Sequence, residues 1–533
     1  MKQIVTGAQM KEIDQDTIER IGIPSMVLME RAALAVADEV EKLAGAVGHG
    51  QGAQGEKAAA GVAVGAAAGA ATGRVLAVCG TGNNGADGIA AGRILQSRGM
   101  DVTILLAGDP AHGSEERRRQ QKIAVNLDMT VVAADDFLPG DYDVIIDALF
   151  GIGLSREVEG SYLELIELLR SQYQKKGVPV VAVDISSGIH ADTGAVMGTA
   201  LKADVTVTFG WRKTGQLLYP GKEYTGRLVV ADIGFSEVSL QKAGWDCQAW
   251  TRDDLQKLPP RAADGNKGTF GKVLIVAGCR GMSGAAYLSA LGAYRTGAGL
   301  VKILTVTENR VVLQSLLPEA IVETYDPETI AETAQFQTFL EQQCDWADTI
   351  VLGPGLGQEP YVEYVAETIL SHAYVPIVLD ADGLNTVAAH PYLTQYFTEN
   401  VIITPHMGEM ARLCGMTVAQ LKEDPLGAAR EYSSRYQVVC VLKDAVSVIA
   451  DKDGTTCLNT SGCSAMAKGG SGDVLSGVIA ALAARGMECT DAAACGVYLH
   501  GLAGEAAARD RGMDGVLARE IADRLMTIES DME

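Results

Sequence analysis

Short apolar runs recur along this chain, separated by segments that can coil into amphipathic helices. In the first half they are Val75–Val78, Val102–Leu106, Val144–Ile146, Val178–Val183 and Val205–Phe209, with helix-compatible stretches such as Gly88–Arg98 between them. Runs that are continuously apolar, rather than alternating, suit strands covered on both faces, as in a parallel sheet. A strand–helix alternation of this kind predicts a doubly wound sheet whose ligands sit at the carboxyl ends of the strands. The pattern breaks over residues 235–265, where Trp250-Thr-Arg-Asp-Asp and Leu258-Pro-Pro-Arg precede Asn266-Lys267-Gly268. It then restarts with Val273–Ala277, Val301–Val306, Thr349–Gly353, Ile377–Asp380, Val401–Thr404 and Val438–Leu442. The expected organisation is two unlike α/β domains, residues 1–240 and 250–533, with the boundary near residue 245.

One segment stands outside this pattern. Residues 44–73 are dominated by Gly and Ala and carry no charge from Ala58 to Thr72. The stretch is too weakly apolar for a membrane span, which needs ~20 strongly apolar residues. It reads as a flexible insertion without chemistry. At 533 residues, each half is long enough to bury its own core. A formal net charge of -23 argues against nucleic-acid and anionic-membrane partners, because both need a basic footprint. A small nucleotide stays compatible with it, since a local nest of amides can hold an anion inside an acidic protein. The ten cysteines form no Cys-x-x-Cys pair and the seven histidines no metal-like cluster, so structural zinc is not expected. No secretory signal is legible at Met1–Thr6 and beyond, and a reducing cytoplasm is the expected compartment. A symmetric homo-oligomer is the expectation for a metabolic α/β enzyme.

Candidate chemistry gathers at two places. Gly80-Thr-Gly-Asn83-Asn84-Gly85-Ala86-Asp87-Gly88 follows a strand and opens a helix. The amides of Asn83 through Asp87 can hold a pyrophosphate at that helix N-terminus. A lone glycine-rich turn is weak evidence, because turns use the same residues for geometry alone. Two strand-end acids strengthen it. Asp147 closes Val144–Ile146 ahead of Gly151, and Asp184 closes Val180–Val183 ahead of Ser186-Ser187-Gly188. An acid ending a buried strand is costly unless paired, protonated or bound to a cation. Two such acids together with Asn84 and Ser187 suggest an oxygen-lined pocket suited to a monovalent ion. In the second half, Lys468-Gly-Gly-Ser-Gly472-Asp473 precedes an apolar helix, an anion hole with a carboxylate at the reacting oxygen. Gly353-Pro-Gly355-Leu-Gly357, Asp380-Ala-Asp382-Gly383 and Thr404-Pro-His406-Met-Gly-Glu409 each end a strand nearby. His406 caps a helix or touches substrate, and Lys443 can grip a phosphate. These residues by themselves imply phosphoryl transfer to a small hydroxylated compound, and a vitamin or sugar kinase stays open.

Taken together, the first-half motifs resemble the NAD(P)H-hydrate epimerase family, the YjeF N-terminal domain. The shared marks include Gly22-Ile-Pro-Ser-Met-Val-Leu-Met-Glu30, the Asn83–Gly88 loop, Asp147-Ala-Leu-Phe-Gly-Ile-Gly, Asp184-Ile-Ser-Ser-Gly, Thr208–Lys213 and Tyr219-Pro-Gly. The resemblance implies potassium on Asn84, Asp147 and Ser187. It implies substrate contacts from Asn83, Asn84, Gly85, Ala86 and Asp87, and from Gly151, Ile152, Gly153, Leu154, Ser155, Arg156 and Glu157. It makes Asp184 both a substrate contact and the candidate acid/base. The second half resembles the ribokinase-like superfamily and, within it, the ADP-dependent NAD(P)H-hydrate dehydratases. That likeness implies substrate contacts at Ala285, Gly355, His406 and Asp473. It places ADP, seen as AMP after reaction, on Lys443, Asp444, Ala445, Val446, Ser447 and Gly472. Asp473 is then the catalytic base, with magnesium on the phosphates. The expectation is α/β architecture in two three-layer α/β/α domains, one Rossmann-like and one ribokinase-like. The substrates implied are NADHX, NADPHX (the hydrated forms of NADH and NADPH) and ADP. A non-catalytic N-terminal binding module is the alternative of a different class.

Overall fold

The protein is described from a computed structural model covering residues 1–50, 73–328 and 334–530. It divides into two compact units, Gln3–Trp245 and Asp246–Glu533, the latter joined by Met1–Lys2. Most of the Gly/Ala-rich segment lies outside the described residues. Its first part, through Gly50, continues the helix Ser25–Gly50.

In the N-terminal unit, a seven-stranded sheet runs β1 (Arg74–Cys79), β2 (Asp101–Leu106), β3 (Thr130–Ala133), β4 (Val144–Ala148), β5 (Val180–Val183), β6 (Val205–Phe209) and β7 (Arg227–Ala231). Its spatial order is β3-β2-β1-β4-β5-β6-β7, and every pairing is parallel. Successive side chains of a strand point to opposite faces, so one run can fill two cores. Val75, Ala77 and Cys79 pack with Leu28, Ala32 and Val36 of helix α1 (Ser25–Gly50) and with helix α2 (Asn83–Ser97). Leu76 and Val78 pack on the other side against Leu165, Ile166 and Leu169 of helix α3 (Gly160–Gln172). The chain leaves β1 toward β2 and β3, then returns to place β4 on β1's opposite side. A crevice opens at that reversal, and the first glycine loop and Asp147 both lie there.

The C-terminal unit repeats the device with different parts. Its strands are β8 (Cys247–Ala249), β9 (Lys272–Val276), β10 (Leu300–Val306), β11 (Ile321–Tyr325), β12 (Thr349–Leu352), β13 (Ile377–Leu379), β14 (Val401–Ile403), β15 (Val439–Leu442), β16 (Val448–Ala450) and β17 (Thr456–Leu458). The order is β11-β10-β9-β12-β13-β14-β15-β16-β17-β8, parallel through β15 and antiparallel at β15–β16 and β16–β17. The reversal falls between β9 and β12. Helices α4 (Ser283–Arg295), α5 (Ser471–Ala484) and α6 (Cys489–Arg511) form one core with the sheet. Helix α5 is buried from Val474 through Ala483, as a helix that is apolar on all sides must be.

Candidate active sites

The first loop is shaped by close backbone approach. A Cβ on Gly85 would lie 2.1 Å from the Gly80 carbonyl oxygen, so no larger residue fits without moving the loop. Gly85→Ala should therefore displace the N-terminus of α2. Since ångström-scale misplacement costs roughly 100-fold in rate, epimer interconversion should fall by about that factor while the dehydratase rate of the same chain stays unchanged. Separate assays of the two activities check this.

Beyond the loop lies a cavity of about 600 Å³. Asn83, Asn84, Asp87, Gly151, Ile152, Gly153, Leu154, Ser155, Arg156 and Asp184 line it, so most of the sequence-derived set converges. Gly85 and Ala86 are buried and shape the loop without lining the cavity. Glu157 is exposed and does not line it either.

Asn84, Asp147 and Ser187 meet around the backbone of Phe150. The Asn84 Nδ2 donates to the Phe150 carbonyl at 3.0 Å, and the Phe150 N–H donates to Ser187 Oγ at 2.9 Å. Ser187 Oγ donates to Asp147 Oδ1 at 2.6 Å and its N–H to Oδ2 at 2.9 Å. Asp147 is fully buried, and burial pushes its carboxyl up to about 6 against the pull of these hydrogen bonds. Among the described residues no cationic side chain pairs with it.

Asp184 sits at a left-handed backbone position, φ 65°. That conformation is uncommon for a residue with a side chain and tends to mark functional sites. Its N–H donates to the Val207 carbonyl at 2.8 Å, and its own carbonyl accepts from Gln216 Nε2 at 2.6 Å. Its Oδ1 accepts from Lys213 Nζ at 2.6 Å, Thr208 Oγ1 at 3.0 Å and the Phe209 N–H at 3.3 Å. Asp14 and Glu116 border the same cavity. Burial, then Asp184, Asp14 and Glu116, hold the Asp87 carboxyl well above the usual range, and burial followed by Asp184 and Glu116 lifts Asp14. Sequence reasoning gave no role to Lys213, Asp14 or Glu116. The Lys213 partnership spans 29 positions, beyond any local motif.

The second site is assembled from interlocked strand-end loops. A Cβ on Gly353 would fall 2.0 Å from the Asp380 carbonyl oxygen, so only glycine lets the β12 and β13 ends touch. Gly355 lies against Ala285, its virtual Cβ 2.8 Å from the alanine methyl. The Gly357 N–H donates to Asp382 Oδ2 at 2.8 Å. Between the two acids, Ala381 has φ 50°, strain of about 1–3 kcal/mol held at the site.

Asp380 is almost fully buried; its Oδ1 takes Lys443 Nζ at 2.7 Å and its Oδ2 takes Ser476 Oγ at 2.6 Å. Burial works against the Lys443 charge, but Asp380, Glu409 and Asp473 outweigh it and raise its pKa. A Cβ on Gly472 would sit 3.3 Å from that ammonium, so Lys443 lies against bare backbone in the first turn of α5. Asp473, in the same turn, is pushed up to about 6 by burial and then by Asp380, with Lys443 opposing and Asp382 and Glu409 adding. Asp444 and Ala445 are exposed in the turn after β15, while Val446 and Ser447 are buried.

His406 is a helix cap. Its Nδ1 accepts from the N–H groups of Gly408 at 2.9 Å and Glu409 at 3.3 Å, and its own N–H donates to Glu409 Oε2 at 2.8 Å. A ring nitrogen that accepts twice leaves the proton on Nε2, which lies 3.4 Å from Glu409 Oε1.

Two α/β units, each with a glycine loop at a helix N-terminus and a carboxylate of raised pKa, give the chain two separate candidate active sites. The family model described as NAD(P)H-hydrate dehydratase matches residues 273–527, and that of the YjeF-related protein N-terminus matches residues 25–215. The chain is 35% identical to the bifunctional NAD(P)H-hydrate repair enzyme Nnr of Moorella thermoacetica, over 99% of this chain and 97% of that protein. It is 35% identical to the Thermofilum pendens protein of the same name, over 100% and 98%. Among solved structures it is similar to the ADP/ATP-dependent NAD(P)H-hydrate dehydratase from Bacillus subtilis co-crystallized with ATP/Mg2+ (31% identity, 54% of this chain, 99% of that chain, TM-score 0.46). The chain belongs to the family of bifunctional NAD(P)H-hydrate repair enzymes. That membership decides for the dehydratase over the small-molecule kinases that the residues alone left open.

Proposed function

We propose that the N-terminal cavity interconverts the R and S hydrates of NADH or NADPH, and that the C-terminal mouth dehydrates the S epimer. What supports this division most is that each unit carries its own carboxylate beside a helix N-terminus, in a chain matching bifunctional relatives along its whole length. In the epimerase, the amides of Asn83–Asp87 hold the pyrophosphate, Gly151–Arg156 border the nucleotide and Asp184 moves the proton of the ring hydroxyl at the carbon that inverts. An Asp184→Asn protein that keeps the full epimerisation rate would remove it from that role.

Potassium fits Asn84, Asp147 and Ser187, because the buried Asp147 carboxylate lacks any cationic partner among the described residues. Bound there, the ion would supply the counter-charge that makes this ionised acid tolerable. Potassium chloride should then raise the melting temperature above that in choline chloride of equal ionic strength. A ligand at 100 times its dissociation constant adds ~2.7 kcal/mol, and each kcal/mol is about 2–4 °C for a unit of this size. Asp147→Asn should abolish the difference.

In the dehydratase, Ala285, Gly355, His406 and Asp473 face the hydrated ring, and Lys443–Ser447 with Gly472 take ADP. Asp473 removes the substrate hydroxyl proton, and that oxygen attacks the terminal phosphoryl of ADP, releasing AMP. Phosphate then leaves as the adjacent ring carbon loses its proton, forming the double bond. Magnesium arriving on the phosphates would shield their charge. A mouth with carboxylates but no three-ligand cage among the described residues suits a cation held largely by nucleotide oxygens. No described helix is long and apolar enough to cross a membrane. A cytoplasmic homo-oligomer is the reading we adopt, and sizing the full-length protein tests its assembly state.

A further inference from the structure

We propose that Lys213 is a positioning residue of the epimerase, clamping one oxygen of Asp184 so that the other, Oδ2, is the atom that exchanges the proton with substrate. The inference rests on the epimerase reading above. Lys213 is fully buried and borders the cavity, and its three ammonium protons have three acceptors. These are Asp184 Oδ1 at 2.6 Å, Thr208 Oγ1 at 2.8 Å and the Phe209 carbonyl at 3.1 Å. With every proton engaged, the lysine has none left to give to a ligand. Thr208 passes its own hydroxyl proton to the same Oδ1, and the Phe209 N–H joins them.

Asp184 is thus lopsided. Three donors saturate Oδ1, and among the described residues none reaches Oδ2. Because Asp184 borders the cavity, Oδ2 is the oxygen left for the ring hydroxyl. The backbone is locked too, since Gln216 holds the Asp184 carbonyl at 2.6 Å and its Oε1 takes the Lys213 N–H at 2.8 Å. Lys213 also places a cation 2.6 Å from that carboxylate in a cavity bordered by further acids. Asp14, Asp87 and Glu116 are the other acids bordering that cavity, and Lys11 and Arg156 the other bases.

The test is the pH profile of epimer exchange in the full-length protein, for wild type, Lys213→Met and Thr208→Val. A lost cationic neighbour raises an Asp pKa by about 1–3 units. Lys213→Met should move the acid limb of kcat upward by about that much and lower kcat by roughly 100-fold at neutral pH, with KM within about threefold of wild type. Thr208→Val, which keeps the ion pair and removes one donor, should shift the limb the same way by less. It carries the test if Lys213→Met does not accumulate folded. A folded variant with the wild-type limb, or one whose whole loss lies in KM, overturns the inference. Asp184→Asn is the separate arm, since full activity there overturns the epimerase reading itself.

Discussion

Asp473→Asn is expected to abolish cofactor recovery from the S hydrate while leaving epimer exchange at the wild-type rate. The general base contributes about 10²–10⁴-fold, and asparagine cannot accept the proton. The same change should stabilise the C-terminal unit. The folded pKa of Asp473, about 6, lies above the ordinary value, so folding favours its protonated form. This group's contribution is therefore full below pH ~4 and is lost as pH rises through about 6. Asparagine mimics the protonated form at every pH. Above pH 7 the variant should gain about 1–2 kcal/mol, allowing for screening at a half-buried site. Thermal melts at pH 4, pH 5 and pH 8 check it: the gain should be small at pH 4, about half developed at pH 5 and complete at pH 8. In wild type, dehydratase kcat/KM should fall below pH ~6 as the base is protonated.

Lys443→Met is expected to be the most damaging single change in the C-terminal unit. The ammonium stands among Asp380, Asp473 and Glu409; Ser476 also donates to Asp380 and the His406 N–H to Glu409. Removing the cation from a largely buried pair typically costs about 3–5 kcal/mol, because the partner charge is left uncompensated. Two further effects should follow in the folded fraction. Nucleotide affinity should fall on the order of 100-fold if the proposed phosphate contact is made, such a contact being worth roughly 2–5 kcal/mol. The acid limb of dehydratase activity should also move upward, since Lys443 opposes the other influences on Asp473. Chemical denaturation, nucleotide titration and the pH profile read these separately.

The central strands were legible because parallel strands covered on both faces are written as unbroken apolar runs. Val75–Val78 and Val144–Ile146 fall inside β1 and β4. Strands with mixed exposure are not written this way. Thr130–Ala133 and Arg227–Ala231 at the sheet edges alternate partly exposed residues, as does Ile321–Tyr325, so no run stands out. Helix α2 begins at Asn83, inside the loop expected to open it, while its amphipathic pattern is legible only from Gly88, because asparagine and glycine are poor helix formers away from a terminus. The site acids were legible as strand ends, whereas their partners were not. Lys443 meets Asp380 across 63 positions and Ser476 meets it across 96, contacts that only the fold creates. His406 was legible as a cap or a contact; its two accepted N–H bonds show the cap, and the substrate contact proposed for it is a separate role.

The most direct measurement gives the protein a mixture of both hydrate epimers with ADP or ATP and follows reduced-nucleotide absorbance. Wild type should restore the whole mixture, and Asp184→Asn only the S share before uncatalysed exchange intervenes. Asp473→Asn should restore none while still equilibrating R and S. Recovery by Asp473→Asn, or rapid recovery of the R share by Asp184→Asn, would contradict the assignment of one chemistry to each unit.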